Sequence, residues 1–366
     1  MTTPDASHAP PFCPNDRCPF HRGPIDLWRF QRQGFFARRR PPYRVQRFRC
    51  VHCGRNFSTQ TFAVTYWLRR PDLLGRIFHQ LNGCGCYRQI ARQYDVSPTT
   101  VLTHAARLGR HCLLFHQQAR APQCLEPVVM DGFQSFEFSQ YHPTWYHLLI
   151  GSQSHFVYGF TDSELRRSGA MRPEQKARRA WLEATFGRPN PRSIENEVVA
   201  LFRILAPAPQ ALHLLTDDHS DYPRALRRLP HLSVQHRVTS SLERRTRHNP
   251  LFPVNALDGF IRHSSANHKR ETIAFSKRRQ SAVERLWIFV VWRNFMKGVS
   301  VKKKDDPSAA MRLGLCDRLL KLRDLFAQRL FPKRISLPRR WMLYYRREAT
   351  TRQIPHNALH RLKYAF

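Results

Sequence analysis

The sequence predicts an α/β protein, a mixed sheet with helices, that is preceded by two small N-terminal modules. Three observations support this prediction. Four cysteines near the N-terminus form two pairs, several short apolar runs after residue 125 alternate with longer helical segments, and glycine or proline separates many of these segments. With 366 residues and 42% hydrophobic content, the chain is long enough for one large core and smaller satellite modules.

The first module is a predicted zinc ribbon at residues 12–62, which follows a polar, proline-rich segment at 1–11 that we expect to be disordered. The cysteine spacing is C-x4-C, then 31 residues, then C-x2-C. Two tight turns that each supply two thiolates can close a tetrahedron around Zn²⁺. The predicted zinc ligands are Cys13, Cys18, Cys50 and Cys53.

Two other interpretations of these four thiols stay open, namely two disulfides or small buried side chains. No apolar signal segment opens the chain, so we expect a reducing cytoplasm in which zinc is favoured over disulfides. The other cysteines lack comparable pairing, and we expect core thiols at Cys84, Cys86, Cys112, Cys124 and Cys316.

The second module, at residues 68–120, is a predicted helix-turn-helix DNA-binding domain. A helical stripe at 71–81 ends at glycines, a short helix at 87–94 follows, and Ser97 and Pro98 are a typical N-cap and first residue of a longer helix. In a DNA-binding arrangement the longer helix enters the major groove. It would then present Thr99, Thr100, Thr103, His104 and Arg107. The alternative is an ordinary three-helix connector with these residues in solvent.

Residues 125–300 predict the α/β domain itself. Apolar runs at 127–131, 145–150 and 156–160 predict a three-stranded meander. Helical segments, a fourth strand at 211–216, a short helix, a fifth strand at 232–238 and two further helices follow. Three strands, then helix, strand, helix, strand and helix is the order of an RNase H-like domain.

The C-terminal part predicts two segments. An apolar stripe with helical spacing indicates one amphipathic helix at 306–331, which could cover the core or a second subunit. Residues 332–366 are rich in lysine and arginine, and we expect a phosphate-contacting arm of low intrinsic order.

The charge of the chain indicates its partner. There are 61 Lys and Arg against 26 Asp and Glu, a formal net charge of +35. Such a chain repels itself unless a polyanion neutralises it, which favours nucleic acid. No apolar run approaches the ~18–20 residues needed to span a bilayer, so no membrane attachment is expected.

Two acids follow predicted strands. Asp131 and Asp217 each stand where an apolar strand is expected to end, whereas Asp218 is better explained as a cap or turn residue. Carboxylates held close together repel each other unless divalent cations neutralise them, so the pair implies Mg²⁺ or Mn²⁺. Two such ions support phosphoryl transfer on DNA.

These features together resemble bacterial insertion-sequence transposases with a zinc ribbon, a helix-turn-helix and an acidic-triad core. The resemblance spans roughly residues 13–297, and its most specific part is Arg262 followed by N-H-K-R-E-T-I-A-F-S-K at 267–277. It implies movement of a DNA element with terminal inverted repeats as substrate. It also implies DNA contacts at Arg262, Lys269, Arg270 and Lys277.

This sequence differs from the transposase pattern at the position of the third acid. Its position, usually Glu in the related transposases, falls on Asn255, which cannot act as an anionic ligand. Asp258 lies three residues further on, on the same helical face, and we predict that it completes the triad. Glu271 is the runner-up and Glu284 the third candidate.

The sequence therefore predicts a cytoplasmic, nucleoid-associated DNA transposase that acts as a homo-oligomer on double-stranded DNA, both element ends and target. Structural Zn²⁺ and catalytic Mg²⁺ or Mn²⁺ are its expected cofactors. Two alternatives are a DNA-binding regulator with an inactive core, which Asn255 makes credible, and a metal-dependent nuclease.

Overall fold

The computed structural model describes residues 9–269, 272–300, 302–303 and 305–354 of the chain. Most of the predicted disordered tail at 1–11 and the end of the predicted basic tail at 332–366 lie outside these residues. The described part contains a small N-terminal sheet, a helical segment and a mixed five-stranded sheet flanked by helices. The predicted α/β class is therefore confirmed.

The N-terminal sheet has three antiparallel strands in the order β1-β2-β3. Their bounds are β1 (Phe30–Ala37), β2 (Arg44–Cys50) and β3 (Asn56–Ser58). Its small core consists of aromatic side chains and cysteines, with Trp28, Phe48 and Phe57 buried. Because few apolar residues are buried here, this module needs additional stabilisation of the kind a metal ion provides.

Three helices follow, namely α1 (Leu74–Asn82), α2 (Tyr87–Gln93) and α3 (Pro98–Ala119). The predicted start of the long helix is observed: the Ser97 hydroxyl accepts a hydrogen bond from the Thr100 N–H at 3.2 Å, and Pro98 is the first helical residue. The side of α3 that holds Val101, Ala105 and Leu108 is buried in the main core.

The large sheet has the strand order β6-β5-β4-β7-β8. Its strands are β4 (Val128–Phe136), β5 (Pro143–Gly151), β6 (Val157–Glu164), β7 (Gln210–Thr216) and β8 (Leu232–Val238). The first three form the predicted antiparallel meander, whereas β7 and β8 run parallel to β4. Strands β4 to β6 are buried along most of their length, because helices cover the sheet.

Five helices complete this domain in the predicted order. They are α4 (Pro173–Phe186), α5 (Ser193–Leu205), α6 (Asp221–Leu226), α7 (Phe252–Ser264) and α8 (Arg279–Val291). Helix α8 is buried along almost its whole length and packs against α3, so the helical segment and the sheet share one hydrophobic core. None of the helices in the described ranges is both long and apolar enough to cross a membrane.

The C-terminal part differs from both predictions made for it. The single amphipathic helix predicted at 306–331 is wrong: two short helices form, α9 (Ala309–Arg312) and α10 (Leu322–Phe326). Gly314 adopts a left-handed backbone with φ +69° directly after α9, which ends the helix. The apolar stripe still packs on the core, but from separate short segments.

The expectation of low order is also wrong for residues 332–354. Helix α11 (Arg339–Arg346) buries Trp341 against β6, where its indole N–H donates to the Phe160 carbonyl at 3.0 Å. Gly159 makes this contact possible, since a Cβ atom there would lie 2.6 Å from the Trp341 ring. Gly159 lies inside β6 and not at a turn.

Candidate metal centres and nucleic-acid interface

The four N-terminal cysteines converge as predicted. Among the residues that the structure describes, they form the only group of three or more His, Cys, Asp or Glu side chains whose ligand atoms lie within 4.8 Å of one another. The Sγ atoms of Cys13 and Cys53, one from each pair, are 3.6 Å apart. The edge of a tetrahedron with Zn–S bonds of about 2.3 Å is about 3.8 Å, so the spacing fits zinc.

Local hydrogen bonds favour a thiolate at Cys50, whereas burial raises the pKa of Cys13 and Cys18. Burial alone would raise the pKa of Cys50, but the Cys53 backbone N–H and the Trp28 indole N–H lower the pKa to about 7. The indole nitrogen lies 3.3 Å from the Cys50 Sγ. Gly54, with φ +68°, takes the left-handed conformation that lets the second turn close, and its N–H donates to the Cys50 carbonyl.

We expect Cys50→Ser to lose the bound zinc, because a serine hydroxyl is a poor replacement for a thiolate. Elemental analysis under reducing conditions should find about one zinc per wild-type chain and a strongly reduced content in the variant. Circular dichroism should show that the large sheet remains folded. Cys316→Ser, outside the cluster, is the matched control and should retain zinc. Wild-type protein without zinc would contradict this assignment.

Asp131 and Asp217 occupy corresponding positions on neighbouring parallel strands. Val129 of β4 lies opposite Leu215 of β7; Asp131 lies two residues further along β4, and Asp217 lies two residues after Leu215, directly beyond the end of β7. Residues two apart on a strand point to the same face, and adjacent strands are ~4.8 Å apart. The structure therefore brings the two predicted acids together on one face of the sheet.

One detail of the prediction is wrong. Asp131 does not end its strand, because β4 continues to Phe136 through its antiparallel pairing with β5. The parallel pairing of β4 with β7 ends at Val129, before Asp131. Asp217, as predicted, directly follows the last residue of β7.

The electrostatics of the pair agree with this placement. Burial and then the charge of Asp217 raise the pKa of Asp131 to about 6, against the opposing effects of the Gly132 N–H and Arg245. The pKa of buried Tyr222 is raised well above its ordinary value, first by burial and then by nearby carboxylates. Those carboxylates are Asp131, Asp217, Asp258 and Asp221.

Helix α7 brings Asp258 to the same region. It packs on β4 and β5, and Arg262, one turn after Asp258, places its guanidinium 4.4 Å from the centre of the Phe133 ring. Further along, His268 contacts Ser135. Asp131 and Asp258 both act on buried Tyr222, since the charge of each contributes to its raised pKa after the effect of burial. Asn255, on the same helix, is half-buried like Asp258.

The residues fit a divalent cation without forming a closed site. The three aspartates do not converge within the 4.8 Å that the cysteines satisfy. The mutual repulsion that raises the pKa of Asp131 is nevertheless what a bound Mg²⁺ or Mn²⁺ would relieve, and carboxylate oxygens are ligands of both ions. The pair could thus hold a metal when a substrate phosphate supplies further oxygens.

The other candidate acids differ in their placement. Glu284 is fully buried between α3 and α8, and its carboxylate accepts a hydrogen bond from Arg347 Nε at 2.7 Å, so it stabilises the core. Glu271 and the predicted DNA contact Arg270 lie outside the described residues.

The remaining predicted DNA contacts, on α7 and in the segment after it, differ in their exposure. Lys269 and Lys277 are exposed, and the Lys277 ammonium lies 3.1 Å from the centre of the Phe275 ring. Arg262 is partly committed within the fold, since it donates to the His268 carbonyl at 3.0 Å.

The predicted recognition residues on α3 divide into two groups. Thr99, Thr100 and Thr103 lie at the accessible start of the helix. His104 and Arg107 are buried instead, contrary to the prediction. His104 bonds to the carbonyls of Thr100 and Arg70, and Arg107 donates to the Tyr66 carbonyl at 3.0 Å, so neither side chain can reach a base.

Several residues at these sites were missed from sequence. Arg88 and Arg92 are exposed on one face of α2, with the i, i+4 spacing that could have identified them. Trp145 packs against Gly132, next to Asp131, and contacts the His219 ring at 5.3 Å between centres. No sequence pattern indicates that contact, because it depends on the β4–β5 register.

Comparison with known proteins adds little. No protein-family model matches the chain, and no curated protein matches it. A solved structure with some likeness is the simian T-cell lymphotropic virus intasome in complex with PP2A regulatory subunit B56 gamma. The matched chain is 14% identical over 68% of this chain and 74% of its own length, with a TM-score of 0.26. At that TM-score the likeness carries no argument about fold or function.

Proposed function

We propose that the protein is a DNA transposase that cuts and joins strands at the ends of a DNA element. The observation that carries this proposal is the placement of Asp131 and Asp217 at matching positions of adjacent parallel strands, with α7 and Asp258 packed beside them. The strand order β6-β5-β4-β7-β8, antiparallel and then parallel, supports an RNase H-like core.

The charge balance supports DNA as the substrate. The chain carries a formal net charge of +35, and the exposed cations Lys269, Lys277, Arg88 and Arg92 lie outside the buried core. Phosphate contacts of this kind position a duplex and make binding strongly dependent on salt. The zinc ribbon and the helices α1–α3 would bind the element ends, with Thr99 and Thr100 at the accessible start of α3.

The roles of the residues follow from their positions. Asp131, Asp217 and Asp258 would hold Mg²⁺ or Mn²⁺, which when bound activates a water or 3′-hydroxyl and stabilises the leaving oxygen. Tyr222 packs behind the acids as a neutral phenol, because burial and their charges keep it protonated. Arg262, braced on Phe133 and the His268 carbonyl, is a rigid cation one helical turn from Asp258.

A plasmid assay tests this function against the two alternatives. The coding region with its flanking DNA is placed on a donor plasmid and incubated with the protein, Mg²⁺ and a target plasmid. Junctions between flanking and target sequences support a transposase. Cut donor without junctions indicates a nuclease, and salt-sensitive binding without cutting indicates a regulator.

The identity of the third acid has its own test. Asp258→Asn is expected to lower Mg²⁺-dependent cleavage by about a hundredfold or more while end binding stays intact, because one anionic ligand is lost. Glu271→Gln should retain measurable cleavage. Asn255→Ala, one turn before Asp258 on α7, measures the contribution of local packing.

Each alternative outcome is distinct. Loss of cleavage in Glu271→Gln with retention in Asp258→Asn would assign the third ligand to Glu271. Loss in Asn255→Ala alone would assign it to the Asn255 amide oxygen.

A further inference from the structure

We propose that an aromatic surface beside the acidic pair binds an unpaired DNA strand. This aromatic surface consists of Phe136, Phe138, Trp181, Phe186 and Phe275, which come from the end of β4, from α4 and its C-terminus, and from the loop before α8. The inference rests on the proposed function and deepens it, since it names the form of DNA that the site receives.

The surface lines two adjoining grooves. One groove, of about 450 Å³, runs between Phe136, Phe275 and Arg262. The other, of about 300 Å³, is lined by Phe138, Trp181 and further side chains of α4. Ser139 lines both grooves, so the two adjoin, and Arg262, one turn from Asp258, lines the first of them.

The aromatic side chains are unusually accessible. Phe138 is 52% exposed and Trp181 is 49% exposed, although both are large and apolar. Single exposed aromatics are common on proteins, but a contiguous set marks an interaction surface. Phe138 is also held at φ +60°, a costly conformation for a non-glycine residue, by a hydrogen bond of 2.8 Å from its N–H to the Ser276 carbonyl.

Cations accompany the rings along the grooves. The Arg178 guanidinium lies 4.1 Å from the centre of the Trp181 ring, and Lys277 lies 3.1 Å from the centre of the Phe275 ring. Arg278 lines the second groove. Aromatic faces that stack on bases, combined with cations that contact phosphates, are typical of single-strand binding. The faces of bases in a duplex are already stacked, which excludes intact double-stranded DNA as the ligand of the rings.

The distance between Asp131 and the aromatic surface corresponds to a few nucleotides of a DNA strand. Phe136 lies five residues after Asp131 on β4, which corresponds to ~17 Å at ~3.3 Å per residue and places its side chain on the opposite face of the strand. The first groove nevertheless joins the two faces, because Ser135 and Arg262 line it together with Phe136. At ~3.4 Å per nucleotide of one strand, this span is at most about five nucleotides. Unpaired bases up to about five nucleotides from the cleavage position would therefore reach the aromatic surface.

Binding of a fluorescein-labelled oligo(dT) 15-mer, measured by anisotropy on the zinc-loaded protein without added Mg²⁺ or Mn²⁺, tests this proposal on the full chain. Trp181→Ala should weaken oligo(dT) binding by about tenfold, and Phe138→Ala with Trp181→Ala by more, because each stacked base is lost. Affinity for a blunt duplex of equal length should change less than about twofold. Trp67→Ala, an exposed tryptophan away from the surface, is the matched control.

Two outcomes overturn the proposal. Unchanged oligo(dT) affinity in the folded double variant, checked by circular dichroism, is the first. The second is a double variant that is monomeric where the wild type is oligomeric and that binds oligo(dT) with unchanged affinity. That result would make the aromatic surface a contact between two copies of the chain. Because the assay contains no Mg²⁺ or Mn²⁺ and no cleavage step, a chain that binds oligo(dT) but never cuts DNA separates this inference from the proposed function.

Discussion

Replacing Asp131 with asparagine is expected to lower Mg²⁺-dependent strand cleavage by about a thousandfold or more, equivalent to ~4 kcal/mol. The neutral amide can keep the hydrogen bond from the Gly132 N–H, which is 2.6 Å long, but it cannot supply the negative charge that a divalent cation requires. Single-turnover cleavage of element-end DNA over a range of Mg²⁺ concentrations measures the loss.

The same variant should be more stable than the wild type when no metal is present. Asp131 titrates at about 6 in the folded protein against 3.8 as its ordinary pKa, because of burial and then Asp217. Between these values the folded state holds a proton that the unfolded state has released, so stability falls as pH rises from about 4 to 6. Above pH 6 the cost is complete, up to about 3 kcal/mol, and Asp131→Asn removes it.

The control for both measurements is Asp218→Asn. Asp218 is exposed, and its carboxylate accepts a hydrogen bond of 3.3 Å from the Ser241 N–H, so it belongs to a turn. Its replacement should leave both stability and cleavage nearly unchanged, because substitutions of exposed turn residues have small effects. Retained cleavage in Asp131→Asn would remove Asp131 from the site, and a melting temperature with unchanged pH dependence would contradict its placement beside Asp217.

The order of the elements in the large domain could be predicted because each has a local signal. The strands of the meander are short apolar runs between turn residues, and α3 begins with a serine cap and a proline. The cysteine cluster could be predicted for the same reason, since its ligands are spaced on two short turns. Asp131 and Asp217 followed from strand position, although the continuation of β4 past Asp131 depends on its pairing with β5.

Features that depend on distant partners could not be predicted. His104 and Arg107 lie on a helix whose amphipathic pattern is weakened by polar residues, and their burial depends on the Arg70 and Tyr66 carbonyls. Likewise, the basic composition of residues 332–354 indicated a free arm. The aromatic residue that fixes this segment, Trp341, finds its site at Gly159, far away in sequence.

A buried ionic network holds the same segment, and Asp162→Asn is expected to destabilise the protein by about 3–5 kcal/mol. Asp162 on β6 is completely buried and pairs with Arg279 of α8, with Arg340 of α11 at 3.0 Å, and with the Tyr344 hydroxyl. Although burial raises the pKa of Asp162, the two guanidinium groups hold it below its usual range. An asparagine would remove the carboxylate that the two cations share and leave each with one acid, Glu164 for Arg279 and Glu197 for Arg340.

Urea unfolding at neutral pH measures this loss as a lower midpoint, and limited proteolysis should show earlier cleavage in the segment that contains α11. The ion pairs of Asp162 with Arg279 and Arg340 stabilise the wild type fully at pH values above the ordinary pKa of aspartate. This stabilisation is lost as the pH falls through the lower pKa of Asp162 in the folded protein. The difference in stability between variant and wild type should therefore shrink in acid. Asp72→Asn, which removes an exposed partner of Arg70, is the matched control and should cost less than about 1 kcal/mol. An unchanged midpoint in Asp162→Asn would mean that the burial of Trp341 alone holds α11 on β6.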